Sequence, residues 1–368
     1  MSTAPALRLY LDLGDAFTKA VAEGSAKRER VRFPSIVASR LLATGEPMHQ
    51  LLVDTRESLL RPADFDADAH PRTRSYDGAQ AIVEMAASRP APRGARFAGR
   101  LAAIYGADRQ WLGRHPTAEN VEALVHKALM LVCAEARCDA HGVFVVDSGA
   151  KAAAILRFAA TLPRTLEFVL RSHERAEARK LEVRLSAQIL DAAESAAVAL
   201  PPEIAPRVLL VDIGHFRTKL ALLSRQGCEH QEQLDLGAAD CVRRVLRDGQ
   251  DHGLFADEFA VVRALESAHH DVISIGERHF DIGAPLDSAR RALEEELARG
   301  VRRLLLDHYE RTGESCGAVS IIGGGAGSVG PGLKARLEAA DIGLRAVWVT
   351  PDPSFLLVEG AQRSPARA

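Results

Sequence analysis

No stretch of the chain approaches the run of about 18 consecutive apolar residues that a membrane span requires. Met1 to Gly14 also lacks the charged-then-apolar order of a secretory signal. The expectation is a cytoplasmic protein with no membrane partner. Cysteine is scarce: the five, at 133, 138, 228, 241 and 316, are odd in number and form no Cys-x-x-Cys pair. That argues against a disulfide framework or a zinc site and for buried reduced thiols. His269-His270 has no third partner at ligand spacing, so a solvated pair is expected there rather than a metal site. A large excess of charge is missing too. A net charge of −2 gives no general attraction to nucleic acid or anionic lipid, and direct nucleic-acid binding is not expected. Lysine is rare, since only positions 19, 27, 127, 151, 180, 219 and 334 of the 47 basic residues carry it. A lysine that recurs in a motif therefore carries more information than an arginine would.

What is present is a composition of 47% hydrophobic and 26% charged residues, that of a soluble globular protein, over 368 residues, which suits two domains. The chain contains an internal repeat. Leu9-Tyr-Leu-Asp12-Leu-Gly14-Asp-Ala-Phe-Thr18-Lys19 aligns with Leu209-Leu-Val-Asp212-Ile-Gly214-His-Phe-Arg-Thr218-Lys219. Asp, Gly, Thr and Lys match in both copies, and two of the rare lysines fall at the equivalent place. Each copy reads as a β-hairpin: an apolar strand, a polar glycine-containing tip, and a second strand over Thr18 to Ala22 or Thr218 to Leu223. The chemistry of such a tip suits phosphate. Gly lets backbone N–H groups converge on an anion, Thr adds a donor and Lys a point charge. Asp12 and Asp212 suit a hydrated Mg²⁺ that neutralises phosphates. Asp-x-Gly is also an ordinary strand-to-turn sequence, chosen for backbone reasons alone. The repetition favours the phosphate reading.

A third signal lies near the C-terminus. Ala318 to Ile322 reads as a buried strand, followed by Gly323-Gly324-Gly325-Ala326-Gly327 and further glycines to Gly332, then a helix over Leu333 to Ala340. Glycines this dense after a strand imply close approach of backbone to something flat or phosphorylated. It is neither a P-loop, for no Lys-Ser or Lys-Thr follows, nor a dinucleotide-binding fingerprint.

These three pieces, in this order, resemble the actin, sugar-kinase and heat-shock-chaperone ATPase superfamily. The resemblance makes Asp12, Gly14, Thr18 and Lys19 the phosphate-1 motif, and Asp212, Gly214 and Thr218 the phosphate-2 motif; Lys219, the repeat's second lysine, is a further cofactor-binding candidate. It makes Gly323, Gly324, Gly325 and Ala326 the adenosine motif. Phe33-Pro34-Ser35 and the closing segment Pro351 to Gly360 are similar to those of the prokaryotic ParM-like actins. The implied fold is α/β and two-lobed, with duplicated ribonuclease H-like domains, mixed five-stranded sheets and a nucleotide cleft between the lobes. The implied division is 1–33, 116–205 and 356–368 as subdomain Ia, 34–115 as the Ib insert, 206–241 and 316–355 as IIa, and 242–315 as IIb. The tips depart from the family's preference for small residues, reading Asp15-Ala-Phe and His215-Phe-Arg. Asp15 would repel a phosphate unless its carboxylate turns away.

Between the motifs, Leu51 to Asp54 reads as a short strand in the insert. A helix is expected over Thr117 to Arg137, capped by Thr117, followed by a strand over Val143 to Val146. Further strands are expected at Thr165 to Leu170 and Leu181 to Leu185, with helices at Leu190 to Leu200 and Cys241 to Asp248 and a strongly helical stretch from Asp251 to Glu314. The stripe over Leu286 to Arg311 is expected to pack on the second domain. Phosphoryl transfer needs a group that orients the attacking water, and the resemblance places it near Gln188, Asp191 and Glu194. Gln188, immediately after the strand-like Leu181 to Ala187, matches best; Asp191 equally suits a helix cap. The catalytic set is then Gln188, Asp12 and Asp212, with ATP and Mg²⁺ as cofactors. The expected function is a bacterial actin-like ATPase that polymerises into cytoplasmic filaments, cytoskeletal or serving plasmid segregation. Its partner would be itself, with an adaptor or cargo protein besides. The alternative is a non-polymerising nucleotide-binding adaptor of the same fold. A small-molecule kinase would need a catalytic base and an acceptor pocket that the sequence does not display.

Overall fold

The hairpin at the start of the chain is the seed of a sheet. In a computed structural model, β1 (Leu7–Leu13) and β2 (Phe17–Glu23) pair antiparallel. The residues described are 7–23, 28–38, 73–74, 82–86, 97–99, 102–103, 108–132, 137–161, 164–171, 176–200, 207–225, 227–250, 254, 258, 261–262, 272–275, 278–340, 342–350 and 352–364. The expected strand Leu51 to Asp54 and the pair His269-His270 lie outside them. The chain divides into two compact units, Met1–Ala192 and Ala193–Ala368.

In the first unit β2 also pairs with β3 (Arg28–Pro34), which leads into β4 (Ile36–Ala38). Short strands β5 (Thr73–Arg74), β6 (Ile82–Ala86), β7 (Phe97–Ala98) and β8 (Gln110–Trp111) precede helix α1 (Ala118–Val132). The Thr117 hydroxyl accepts the Asn120 N–H at 3.3 Å, so the expected cap is in place. Strand β9 (Arg137–Val146) follows, then α2 (Gly149–Ala159), β10 (Arg164–Arg171) and β11 (Ala176–Asp191). The helix stops earlier and β9 begins six residues sooner than the apolar run suggested. Pairing with β1 on one side and β11 on the other holds the polar start of β9 as strand. The sheet order is β5-β3-β2-β1-β9-β11-β10-β6. Among the described residues it contains the expected five-stranded run β3-β2-β1-β9-β11, extended by β5 at one edge and by β10 and β6 at the other. Leu9, Leu11, Phe33, Leu124, Phe144, Ile155 and Phe158 form its core with α1 and α2.

Helix α3 (Ala192–Ala199) opens the second unit. Strands β12 (Arg207–Ile213), β13 (Thr218–Ser224) and β14 (Gly227–Leu234) form an antiparallel meander, followed by α4 (Ala238–Gln250). A two-stranded ribbon, β15 (Val272–Ile275) and β16 (Arg278–Asp281), then leads into the 30-residue α5 (Gly283–Thr312). The ribbon was not expected in a segment read as helical. Strand β17 (Ala318–Ile322), α6 (Ala326–Ala339), β18 (Ala346–Val349) and α7 (Leu356–Arg363) complete the unit. On α5, Leu286, Leu293, Leu297, Val301 and Leu304 recur at helical spacing and are buried where the helix packs on α4 and α6. Helix α7 lies on α3, with Arg363 donating to the Ala199 carbonyl at 3.2 Å. Cys241 and Cys316 are buried as expected, but Cys228 is exposed on the edge strand β14.

The sheet order of the second unit is β14-β13-β12-β17-β18. It repeats the run β3-β2-β1-β9-β11 of the first, with antiparallel pairs at the hairpins and parallel pairs beyond them. Each central strand is followed by a helix, α2 after β9 and α6 after β17. The sequence repeat is thus a repeat of architecture.

Candidate functional site

The two hairpin tips have one register. Asp12 pairs with Lys19 and Leu13 with Thr18; Asp212 pairs with Lys219 and Ile213 with Thr218. A Cβ on Gly14 would lie 2.7 Å from the Phe17 carbonyl oxygen, and one on Gly214 would lie 2.7 Å from that of Arg217. No side chain fits at either place, so glycine at both tips is a requirement of the close turn.

In the first unit the Lys19 ammonium donates to Asp12 Oδ2 at 2.7 Å, and both residues are buried. The Thr18 hydroxyl pairs with that of Ser35 at 2.9 Å, anchoring the tip to the Phe33-Pro34-Ser35 segment. The Asp15 carboxylate is paired: its Oδ1 accepts a 2.6 Å bond from the ammonium of Lys151. Lys151, 2% exposed, stands in the first turn of α2 and also donates to Asp147 at 3.1 Å. Burial acts to lower its pKa, but the carboxylates of Asp147 and Asp15 outweigh burial and hold the ammonium above its ordinary range. Sequence reasoning missed this lysine. The signal was there: Asp147-Ser148-Gly149 follows an apolar strand just as Gly323 follows β17, and Lys151 is one of the seven lysines.

Gln188 lies within β11, which runs on to Asp191, so it is not at the strand end as the sequence suggested. Asp12 pairs with Val145 and Val145 with Leu190. Gln188, two residues before Leu190, therefore shares a sheet face with Asp12, and Asp191 ends the strand on the other face.

In the second unit the tip rests on the start of α4. The carbonyls of Gly214 and His215 accept the Ala238 and Ala239 N–H groups at 3.1 and 2.7 Å. The Thr218 hydroxyl donates to the Leu236 carbonyl at 2.8 Å. His215 is buried, with Nε2 3.7 Å from Glu258 Oε1, and Phe216 packs edge-on against it at 4.6 Å between ring centroids. Two groups of glycines in the run make close contacts. Gly323 has φ +95°, its N–H donates to Pro353 at 3.0 Å, and a Cβ there would collide with Asp212 and Ile213. The Gly325 N–H donates to Ile213 at 2.8 Å. Gly324 and Gly327 face open space. Gly330 and Gly332 lie inside α6, which starts at Ala326 rather than Leu333, and give close approach to Val349 and Glu294. The first group joins the turn to the Asp212 tip; the second packs the helix.

No family model matches the sequence, and no curated protein matches it. Solved structures do. The archaeal actin homolog Ta0583 in complex with ADP is 15% identical with a TM-score of 0.66, over 97% of this chain and 100% of that one. A 15-stranded ParM filament from Clostridium botulinum is 16% identical at 0.66, over 97% and 98%. Bacillus thuringiensis ParM with ATP is 12% identical at 0.59, over 97% of each. The chain has the actin-like fold. At these identities the likeness carries the architecture alone.

Each tip carries one hard carboxylate, Asp12 in the first unit and Asp212 in the second. Among the described residues no cluster of three or more His, Cys, Asp or Glu could cage a metal. A single carboxylate of this kind would suit Mg²⁺, which keeps most of its waters and binds through one or two carboxylates together with phosphates. Among the described residues no helix of this actin-like chain is long and apolar enough to cross a membrane.

Proposed function

We infer that this actin-like chain binds ATP with Mg²⁺, hydrolyses it, and assembles with further copies of itself into filaments in a cytoskeletal or DNA-segregating role. The observation that carries the reading is the duplicated tip: the same Asp–Lys register and the same obligatory glycine, on equivalent strands of both units. Backbone N–H groups of the tips, with Lys19 and Lys219, would hold phosphates, and Asp12 and Asp212 would hold the hydrated metal. Thr18 and Thr218 tie their tips to the chain behind them. Gly323, Gly324, Gly325 and Ala326 would receive the adenosine. Gln188 orients the attacking water in this reading, with Asp191 at the strand end as its competitor. The structural neighbours include proteins with ADP and with ATP and one in filament form, which agrees with it. Any nucleic-acid cargo would be reached through an adaptor protein, given the net charge of −2.

Binding of Mg-ATP to the purified chain, phosphate release and sedimentation over a wide range of protein concentration test the proposal in three steps. No binding at millimolar nucleotide would end it. Replacing Gln188 with Ala is expected to slow phosphate release about 10²-fold with binding unchanged. A normal rate would move the role to Asp191. The second reading, a non-polymerising adaptor, is favoured by one observation: Gln188 sits inside β11 rather than free at its end. It predicts binding without turnover and without pelleting.

A further inference from the structure

We propose that Lys151 is a positioning residue of the first phosphate tip, holding the Asp15 carboxylate away from the bound anion so that the tip can accept phosphate. The proposal rests on the nucleotide-binding reading above. Asp15 directly follows Gly14 at the turn of the hairpin, where a free carboxylate would repel a phosphate. It is instead 7% exposed, packed over Gly113 so closely that a Cβ there would lie 2.7 Å from the Asp15 Cβ, and bonded to Lys151 at 2.6 Å. Gly113 thus packs against the Asp15 side chain, and Lys151 pairs with its carboxylate. Asp147, at 3.1 Å from the same ammonium, keeps Lys151 oriented, and Ser148 caps the helix that carries it.

The architectural repeat supports a role in the site rather than in general stability. The β9–α2 turn is the counterpart of the β17–α6 turn. In the second unit that turn reaches its tip through glycine, with Gly325 bonded to Ile213 and Gly323 pressed on Asp212. In the first unit the equivalent turn reaches its tip through a charge, from Lys151 to Asp15. Both tips are held from the same direction by the same element, and only the first needs a cation, because only it carries a carboxylate after its glycine.

The test measures equilibrium binding of Mg-ATP to the full chain and to Lys151→Met, Lys151→Arg, Asp15→Asn and the double variant Lys151→Met/Asp15→Asn, with thermal melting of each. Lys151→Met is expected to weaken binding about tenfold or more, since it leaves a buried carboxylate unpaired beside an anion site. Lys151→Arg should keep binding within about threefold. The double variant should recover most of the lost affinity, whether or not its melting temperature recovers. Unchanged binding by Lys151→Met overturns the proposal, and so does a loss that the double variant fails to restore. Should Lys151→Met not fold, Asp15→Asn decides alone: affinity within about threefold of the parent supports a silenced carboxylate, and a tenfold loss overturns it by making Asp15 a ligand in its own right. Failure of the unmutated chain to bind Mg-ATP would sink the functional reading instead.

Discussion

Replacing Gly323 by Ala separates what the glycine turn does for the fold from what it does for a ligand. The backbone at Gly323 has φ +95°, a region in which an L-residue is strained by about 1–3 kcal/mol. The added methyl would also meet rigid atoms: the Ile213 carbonyl oxygen at 2.6 Å, the Ile213 nitrogen at 2.9 Å and the Asp212 carboxylate. Backbone cannot swing aside as a side-chain tip can, so the turn must move off β12. A total cost of about 2–4 kcal/mol follows. For a unit of this size that lowers the melting temperature by about 5–15 °C, measured by calorimetry or circular dichroism. Gly324→Ala is the matched control. Its Cβ meets no atom within 4 Å and its φ is not positive, so its stability should stay within about 0.5 kcal/mol of the parent. If the turn receives adenosine, Gly324→Ala should nevertheless weaken Mg-ATP binding. An unchanged melting temperature for Gly323→Ala would refute the packing argument, and unchanged affinity for Gly324→Ala would refute the ligand surface.

Asp12→Asn leaves the buried Lys19 ammonium without its 2.7 Å carboxylate and is expected to cost about 3–5 kcal/mol, read from urea unfolding, besides weakening Mg-ATP binding. Lys151 has a folded pKa raised above its ordinary 10.5. Its contribution is therefore fully present below that value and is lost as pH rises through the folded value. The parent should lose stability above about pH 10.5 more steeply than Lys151→Met, as followed by alkaline titration of the unfolding midpoint. Burial pushes the Cys241 thiol up to about 12 and raises that of Cys316, whereas Cys228 is exposed. Among these three, a thiol reagent at pH 8 should label Cys228 first by peptide mass spectrometry, with the other two reacting only on unfolding.

The hairpins were legible because two local signals agree there: an apolar run long enough for a buried strand, and Asp-x-Gly where the chain must turn. The register of Asp12 with Lys19 and of Asp212 with Lys219 follows from turn length alone. The long helix α5 was legible for a similar reason, its stripe from Leu286 to Leu304 holding helical spacing without a break. The ribbon β15–β16 escaped notice because its strands are four residues each and sit in a helix-rich stretch. The dipeptide Gly276-Glu277, with glycine first, is nonetheless a sequence signal for a two-residue hairpin. The start of α6 was misplaced because glycine and Pro331 depress helix propensity. Close packing of Gly330 and Gly332 on Val349 and Glu294 overrides that preference. The end of β11 was misplaced for a related reason. Pairing with β9 carries the strand through Gln188 to Asp191, and no local property of those residues marks the limit.

The sequence by itself determined the duplication: two copies of one tip, each heading its own half of the chain, with two rare lysines in matching places. Spacing along the chain suffices for that, because a hairpin is a local structure. Only the tertiary structure decided how each tip is held. Lys151 reaches Asp15 across 136 positions of sequence. That meeting depends on β9 lying parallel to β1, so that α2 starts at the same edge of the sheet as the tip. The partner that the Asp15 carboxylate meets was settled by strand order, which no local pattern encodes.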